Sequence, residues 1–422
     1  MNKKTLLIYS KNVGTYFSAS LIPMILSLVS NPFIAKNMEP EDYAIVGYYA
    51  SFTTLLQPLI TFYMLHYYTK RFYELNEEGR KKLRSTIMKA LIWFSGIMFL
   101  VSLTGLIIYT IYFNMESTIP LFPYVLMSLM VLPLGGVMSL TTTDYRMSRR
   151  TNAFFKITVS NGVISVLLTL LFVVWLKWGA TGKLLAPLIT SFGFFIFCIY
   201  QYRDLVKIPF DWSVFKQMLL FCWPLTIAAM LGFFSNGYDR VLLERIGDTK
   251  ELGYYCVGLQ IANYVHVFQS AITSTFQPDI YQNIVERKWE KLFKVVAIQG
   301  LGVSSIVGVF IILAPFVVDI LTAGRYLMAV GYTRILVFAS VTSMLYYCLS
   351  QITIALGYTK ITLINKVVSS VLMIMVYGFL ILKYQFMGAA WGQVLSYLVF
   401  LLGNALLLFV FIKYGKYDSK NT

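Results

Sequence analysis

The sequence predicts an all-α integral membrane protein: twelve transmembrane helices in two six-helix bundles related as parallel repeats. Three observations carry that prediction. Of 422 residues, 58% are apolar and only 13% charged, against about 45–50% and about 25% in an ordinary soluble domain. Apolar runs of the length a bilayer demands, about 20 residues, recur along the whole chain. Four short motifs of the first half also return in the second at a nearly constant offset. Together these exclude a disordered chain and speak against a soluble multidomain enzyme.

The first bundle, residues 1–205, holds six runs. The first, 13–34, contains Pro23 and is followed by further spans, so it reads as a span and not as a removable signal peptide. The second, 42–66, carries Tyr48, Tyr49, Gln57 and Tyr63 along an otherwise apolar stretch. The third, 86–112, follows a basic cluster at Arg80, Lys81, Lys82 and Arg84, and the fourth, 119–143, includes Pro123 and Pro133. The fifth and sixth, 156–176 and 184–202, flank Gly179-Ala180-Thr181-Gly182-Lys183. That stretch imitates a phosphate-binding loop, but its glycines are too close and Leu184 stands where Ser or Thr should bind magnesium.

The second bundle, residues 206–422, repeats the plan. The seventh run, 218–243, has Pro224 near its start and Asp239-Arg240 near its outer end. The eighth, 252–276, carries Tyr255, Gln260, Asn263 and Gln269; the ninth, 295–321, holds Pro315. The tenth is 330–354. The eleventh, 361–383, places Lys366 about two turns in, and the twelfth is 388–413. No connector is long enough for a separate domain.

The repeat is visible residue by residue. Ser30-Asn31 matches Ser235-Asn236, and Gly47-Tyr48-Tyr49 matches Gly253-Tyr254-Tyr255. Lys156-Ile157-Thr158 with Asn161 and Ser165 returns as Lys360-Ile361-Thr362 with Asn365 and Ser369, and Gly179-Ala180 returns as Gly388-Ala389. An even number of spans per half starts both halves on the same side. Repeats about an axis along the membrane normal are a transporter signature, with the substrate site where the repeats meet. Pro23 and Pro224, each in the first span of its half, are the expected hinges for rocking, because proline removes a backbone donor and kinks its helix.

The net charge of +16 would suggest nucleic acid in a soluble protein. Here placement decides. With the N-terminus cytoplasmic, 25 of the 35 Lys and Arg fall at inner ends and loops, among them Lys3, Lys4 and Arg84, and seven fall outside. That asymmetry orients the chain with both termini cytoplasmic and leaves no nucleic-acid partner. The cysteines, Cys198, Cys222, Cys256 and Cys348, lie in spans and read as small hydrophobes. No Cys/His pair has metal-ligand spacing, and His66 and His266 read as helix-face polar groups. No catalytic set and no cofactor is expected.

Charges inside spans are costly and mark pathways. Asp239 and Arg240 align with Ile34 and Ala35 of the first half, and Lys366 with Gly162. Repeat packing therefore does not require them. They head the substrate-binding candidates, followed by Asn31, Gln57, Gln260, Asn263 and Gln269. Amides and phenols in a wet cavity suit sugar hydroxyls, and a buried cation suits phosphate.

The stretch SNGYDRVLLERIGDTKELGYYCVGLQIANYV, from Ser235, resembles the corresponding stretch of bacterial polysaccharide flippases. These are the Wzx-type O-antigen members of the multidrug/oligosaccharidyl-lipid/polysaccharide (MOP) exporter superfamily. The resemblance rests on Asp239, Arg240, Leu243, Gly247, Leu252, Gly253, Tyr254 and Tyr255, and the six-plus-six layout extends it over nearly the whole chain. It implies a MOP/MATE-like fold in the bacterial inner membrane. It also implies export of an undecaprenyl-pyrophosphate-linked oligosaccharide for surface polysaccharides such as lipopolysaccharide O-antigen, alongside polysaccharide polymerase machinery. Spans one, two, seven and eight would line the cavity, and a proton or sodium gradient or downstream consumption of the product would supply energy. Three alternatives stay open: a multidrug/cation antiporter of the same superfamily, although the first span has neither Asp nor Glu; a membrane polysaccharide polymerase or ligase, although no long outer loop is present; and a lipid scramblase or structural membrane protein, which leaves the asymmetric charges unexplained.

Overall fold

The computed structural model describes residues 3–114 and 117–414. The side chains of Lys3 and Lys4 and the C-terminal stretch 415–422, which the sequence places on the cytoplasmic side, lie outside the described residues. In chain order the helices are α1 (Lys3–Asn37), α2 (Pro40–Thr61), α3 (Met64–Arg71), α4 (Glu77–Phe113), α5 (Tyr124–Met147), α6 (Thr151–Leu170), α7 (Gly179–Gln201) and α8 (Arg203–Val206). They continue as α9 (Trp212–Met230), α10 (Phe233–Asn236), α11 (Tyr238–Glu244), α12 (Thr249–Val285), α13 (Trp289–Thr322), α14 (Ala329–Ala355) and α15 (Thr359–Tyr414). No strand occurs among the described residues.

All twelve apolar runs fall mainly on helix, and the departures are informative. The run 42–66 breaks between α2 and α3 at Phe62 and Tyr63, whose φ of 47° and 50° are left-handed, a costly conformation for bulky side chains. The run 218–243 divides into α9, α10 and α11. The last two runs join as α15, interrupted at Gln385 (φ 47°, ψ −126°). Eight described segments are long and apolar enough to span a membrane on their own composition. α2 and α12 are not among them, because tyrosines, threonines and amides interrupt their apolar character. Side chains such as Ile312 and Leu382, 76% and 88% exposed, suit a lipid-facing surface and would be a liability in water.

The chain forms two compact units. The first comprises Met1–Met230 with Ile320–Arg325; the second comprises Leu231–Asp319 with Tyr326–Thr422. α9, which the sequence groups with the second half, packs in the first unit: Phe215, Met218 and Cys222 are buried in one apolar cluster with Tyr68, Ile87 and Leu140. The short segment at 320–325 is tied to the same unit through backbone carbonyls. Leu321 accepts from Asn31 Nδ2 at 2.9 Å. Arg325 donates to the carbonyls of Lys36 and Met38 and to both carboxylate oxygens of Glu39.

Local chemistry explains the joints of the first unit. α2 begins with Pro40 and a reciprocal cap in which Asp42 Oδ2 accepts from the Glu39 N–H at 3.0 Å, satisfying donors a helix start leaves open. The other Asp42 oxygen accepts from Ala180 N at the start of α7, at 2.8 Å. Gly179 makes this approach feasible: its φ is +51°, and a Cβ there would lie 2.5 Å from Asp42 Oδ1. The phosphate-loop look-alike is thus a helix joint. α1 and α6 meet similarly, since a Cβ on Gly162 would lie 2.5 Å from Pro23 Cβ. In the second unit α12 packs on α14, and α14 and α11 pack on α15.

Candidate functional site

The motif that singled out the seventh span sits at a break in it. α10 ends at Asn236, Gly237 follows, and α11 starts at Tyr238. Irregular backbone at membrane depth survives only where protein or a wet cavity satisfies its polar groups. Arg240 supplies part of that here: its Nη2 donates to the Asn236 carbonyl, and its Nε lies 3.5 Å from Asp239 Oδ1. Asp239 in turn accepts from Tyr255 Oη on α12 at 2.5 Å. All three are buried, Asp239 at 1% exposure and Arg240 at 7%. The pair is therefore held inside the unit, with the guanidinium engaged through two of its five donors.

Beside this break the second unit forms a partly open cavity of about 30 Å³, whose polar lining comes from Asn236, Asn263, His266, Ser340, Gln393 and Tyr397. That volume accommodates about two water molecules. Tyr397 Oη donates to Asn236 Oδ1 at 2.9 Å, which fixes the amide with its oxygen toward α15. Gln393 is 7% exposed, and its Oε1 has no hydrogen-bond partner among the described residues.

The other sequence candidates separate. Asn263 lines the cavity. Gln260 lies one turn before Asn263 on α12 and is half-buried. Gln269 is two turns further along and engaged at both ends: it donates to Thr273 Oγ1 at 2.8 Å and accepts from Ser343 Oγ at 3.3 Å, bridging α12 to α14. Lys366 is half-buried on α15, and its carbonyl accepts from Ser370 Oγ. Asn31, Gln57 and Pro23 belong to the first unit, where Asn31 holds the Leu321 carbonyl and Gln57 is exposed on α2. Pro224 lies inside α9, also in the first unit. Sequence reasoning does not single out the cavity residues His266, Ser340, Gln393 and Tyr397 as site residues. Gln393 offers a signal, an amide inside an apolar run.

Sequence reasoning also passes over a second buried carboxylate. Asp144, at the end of α5, accepts from Tyr68 Oη at 2.6 Å and from Tyr202 Oη at 3.4 Å, and it pairs with Arg84 of α4. Asp144 is the one acidic residue in α5, and that isolation is the available hint. Among the described residues no group of His, Cys, Asp and Glu is arranged to hold a metal ion.

This fold, long broken helices in two compact units, each with its own buried polar cluster, is shared with solved transporters. An inward-facing multidrug resistance MATE family transporter superposes with a TM-score of 0.69 at 14% identity, covering 94% of this chain and 99% of its own. Lipid II flippase MurJ in an inward closed conformation gives 0.70 at 15% identity, with 93% and 86% covered. The MATE multidrug transporter DinF-BH gives 0.61 at 16%, with 97% and 95% covered. The chain belongs to the polysaccharide biosynthesis protein family, whose sequence profile it matches over residues 9–284. No curated protein sequence matches it.

Proposed function

We propose that this protein is a flippase that carries a polyprenyl-pyrophosphate-linked oligosaccharide across the bacterial cytoplasmic membrane for surface polysaccharide assembly. The observation that carries the reading is the family membership, joined to a fold shared with a lipid II flippase. The chemistry of the second unit supports it: amides, hydroxyls and an imidazole line a cavity with Asn236, whose carbonyl accepts from the buried Arg240, suiting sugar hydroxyls and a phosphate respectively. Arg240 keeps three donors for phosphate oxygens beyond the two engaged with Asp239 and Asn236. In this reading the isoprenoid tail stays in the bilayer, the headgroup passes through a polar path by alternating access, and a proton or sodium gradient supplies the drive. The basic residues orient both termini to the cytoplasm, and the polymerase that consumes the product acts on the outer side.

The test is mass spectrometry of lipid extracts from a strain lacking the protein, beside its parent. Accumulated polyprenyl-pyrophosphate oligosaccharide with loss of surface polymer is the expected result. The MATE-like fold favours one competing reading, a multidrug/cation antiporter. An unchanged lipid pool with new sensitivity to cationic drugs would establish that reading instead.

A further inference from the structure

The first unit carries a second polar cavity, of about 430 Å³, within the range of small-molecule sites, roughly 300–1,000 Å³. Its charged lining is Arg80, Lys81, Arg84, Arg149 and Arg150 against the single carboxylate of Glu77. We propose that this cavity binds the phosphate of an anionic lipid headgroup from the cytoplasmic leaflet, at residues the transport path proposed above does not use.

Three observations converge on it. First, three of these cations, Arg80, Lys81 and Arg150, have no carboxylate partner among the described residues. Arg84 is paired with Asp144, but among the described residues Lys81 and Arg150 have no side-chain acceptor, and Arg80 engages only its Nε, donating to the Phe72 carbonyl at 2.7 Å. Lys81 is four residues after Glu77, the spacing at which such pairs normally form. The two are nonetheless not joined as an ion pair, whereas Lys82 does reach Glu78 at 3.7 Å.

Second, the site is built. The Arg80 guanidinium lies 4.4 Å from the Phe72 ring centroid, fixed by stacking and by its Nε bond, with its terminal nitrogens left for a ligand. At the far wall α5 ends in a turn with Arg149 in the left-handed region (φ 55°) and the Arg150 N–H bonded to the Tyr145 carbonyl at 2.8 Å. That turn sets two consecutive arginines against the first turns of α4.

Third, the position suits a lipid and not a freely diffusing anion. α4 has 37 residues, about 55 Å of helix, against a hydrocarbon core of about 30 Å. Its basic first turns therefore project beyond the core, while the apolar Ile97, Leu100 and Val101 further along are exposed, as a lipid-facing stretch would be. Tyr73, 66% exposed, lines the same cavity and provides the aromatic that interfacial sites favour. Basic pockets on the cytoplasmic side of helix bundles recognise lipid phosphates in this way.

The experiment uses the full chain in detergent and follows retention of phosphatidylglycerol or phosphatidylcholine by native mass spectrometry. The wild type should retain phosphatidylglycerol preferentially. Arg80→Ala/Lys81→Ala/Arg150→Ala should weaken that binding about a hundredfold, three basic residues at roughly fivefold each. Lys81→Ala/Arg150→Ala, which alters only exposed side chains, should show the same direction and covers the case in which the triple variant does not fold. Arg287→Ala/Lys288→Ala/Lys291→Ala, an equal charge loss elsewhere, should leave retention unchanged. Unchanged binding in the pocket variants, or equal loss in the control, would overturn the proposal. Displacement of the lipid by millimolar inorganic phosphate would assign the cavity to a free anion and overturn its lipid half. The inference rests on the orientation proposed above only for the leaflet. Binding in detergent does not depend on orientation, so a wrong orientation would show instead as labelling of a cysteine at Lys81 from the outer side of intact cells.

Discussion

Asp144 in the first unit and Asp239 in the second are built from the same parts, a buried carboxylate, a tyrosine hydroxyl at 2.5–2.6 Å and an arginine, but they are assembled differently. Asp144 draws its partners from distant positions: Tyr68 on α3, Arg84 on α4 and Tyr202 after α7, with Ser148 Oγ at 3.5 Å. It is a tertiary staple. Asp239 has its arginine next in the chain and only Tyr255 from another helix, so its cluster is mostly local to a broken span. The first arrangement holds helices together, and the second holds a charge in place beside a polar cavity.

The largest expected effect follows from that difference. Asp144→Ala leaves Arg84 largely buried without its partner and unties three elements. Breaking such a pair costs about 3–5 kcal/mol, read as a fall in melting temperature in detergent. Asp239→Ala should cost less, about 3 kcal/mol, the low end of that range, because it unties only Tyr255 of α12 and Arg240 retains the Asn236 carbonyl in the same broken span. Equal losses would break the contrast between staple and local pair. On transport the order reverses. Arg240→Ala should abolish accumulation of surface polymer at normal protein level, and wild-type export there would remove Arg240 from the proposed phosphate contacts.

This asymmetry also explains what the sequence can show. Asp239-Arg240 is legible because two charges stand side by side in an apolar run, and the helical spans are legible because a bilayer imposes one length and one composition on them. The Asp144 cluster is not legible: Tyr68, Arg84 and Tyr202 lie 58 to 76 residues from Asp144, and no local period links them to it. Arg84 reads naturally as an orientation charge. The breaks at Phe62–Tyr63 and Gln385 are equally hidden, since neither has the glycine or proline that normally announces a left-handed residue. α9 groups with its sequence neighbours on pattern alone, because its burial against α3 and α4 is a tertiary fact.

Removing one tyrosine hydroxyl from each cluster sharpens the comparison. Tyr255→Phe leaves Asp239 with Arg240 alone at 3.5 Å, so it should cost about 1.5–3 kcal/mol, the range for a hydrogen bond to a charged group. Tyr68→Phe leaves Asp144 with Arg84, Tyr202 and Ser148, so the loss should be about 1 kcal/mol. Thermal unfolding of both variants in one detergent gives the order directly. A larger loss for Tyr68→Phe would mean that the first unit depends on that one bond more than its redundancy implies.

The smallest expected change in stability belongs to Gln393, a polar side chain lining the cavity of the second unit whose Oε1 has no hydrogen-bond partner among the described residues. The Asp144 carboxylate is met by several donors, whereas Gln393 Oε1 has none among the described residues. Gln393→Leu, close in volume, removes an unmet buried acceptor, so melting should stay within about 1 kcal/mol of wild type and shift upward if at all. Export should fall in the same variant, because in the proposed function this amide serves the passing headgroup and not the fold. A stable protein with lost transport separates the two roles within one helix. Lost stability would instead show that Gln393 belongs to the core and that the polar path runs elsewhere, since a side chain kept for packing cannot be exchanged for an apolar one without adjusting its neighbours.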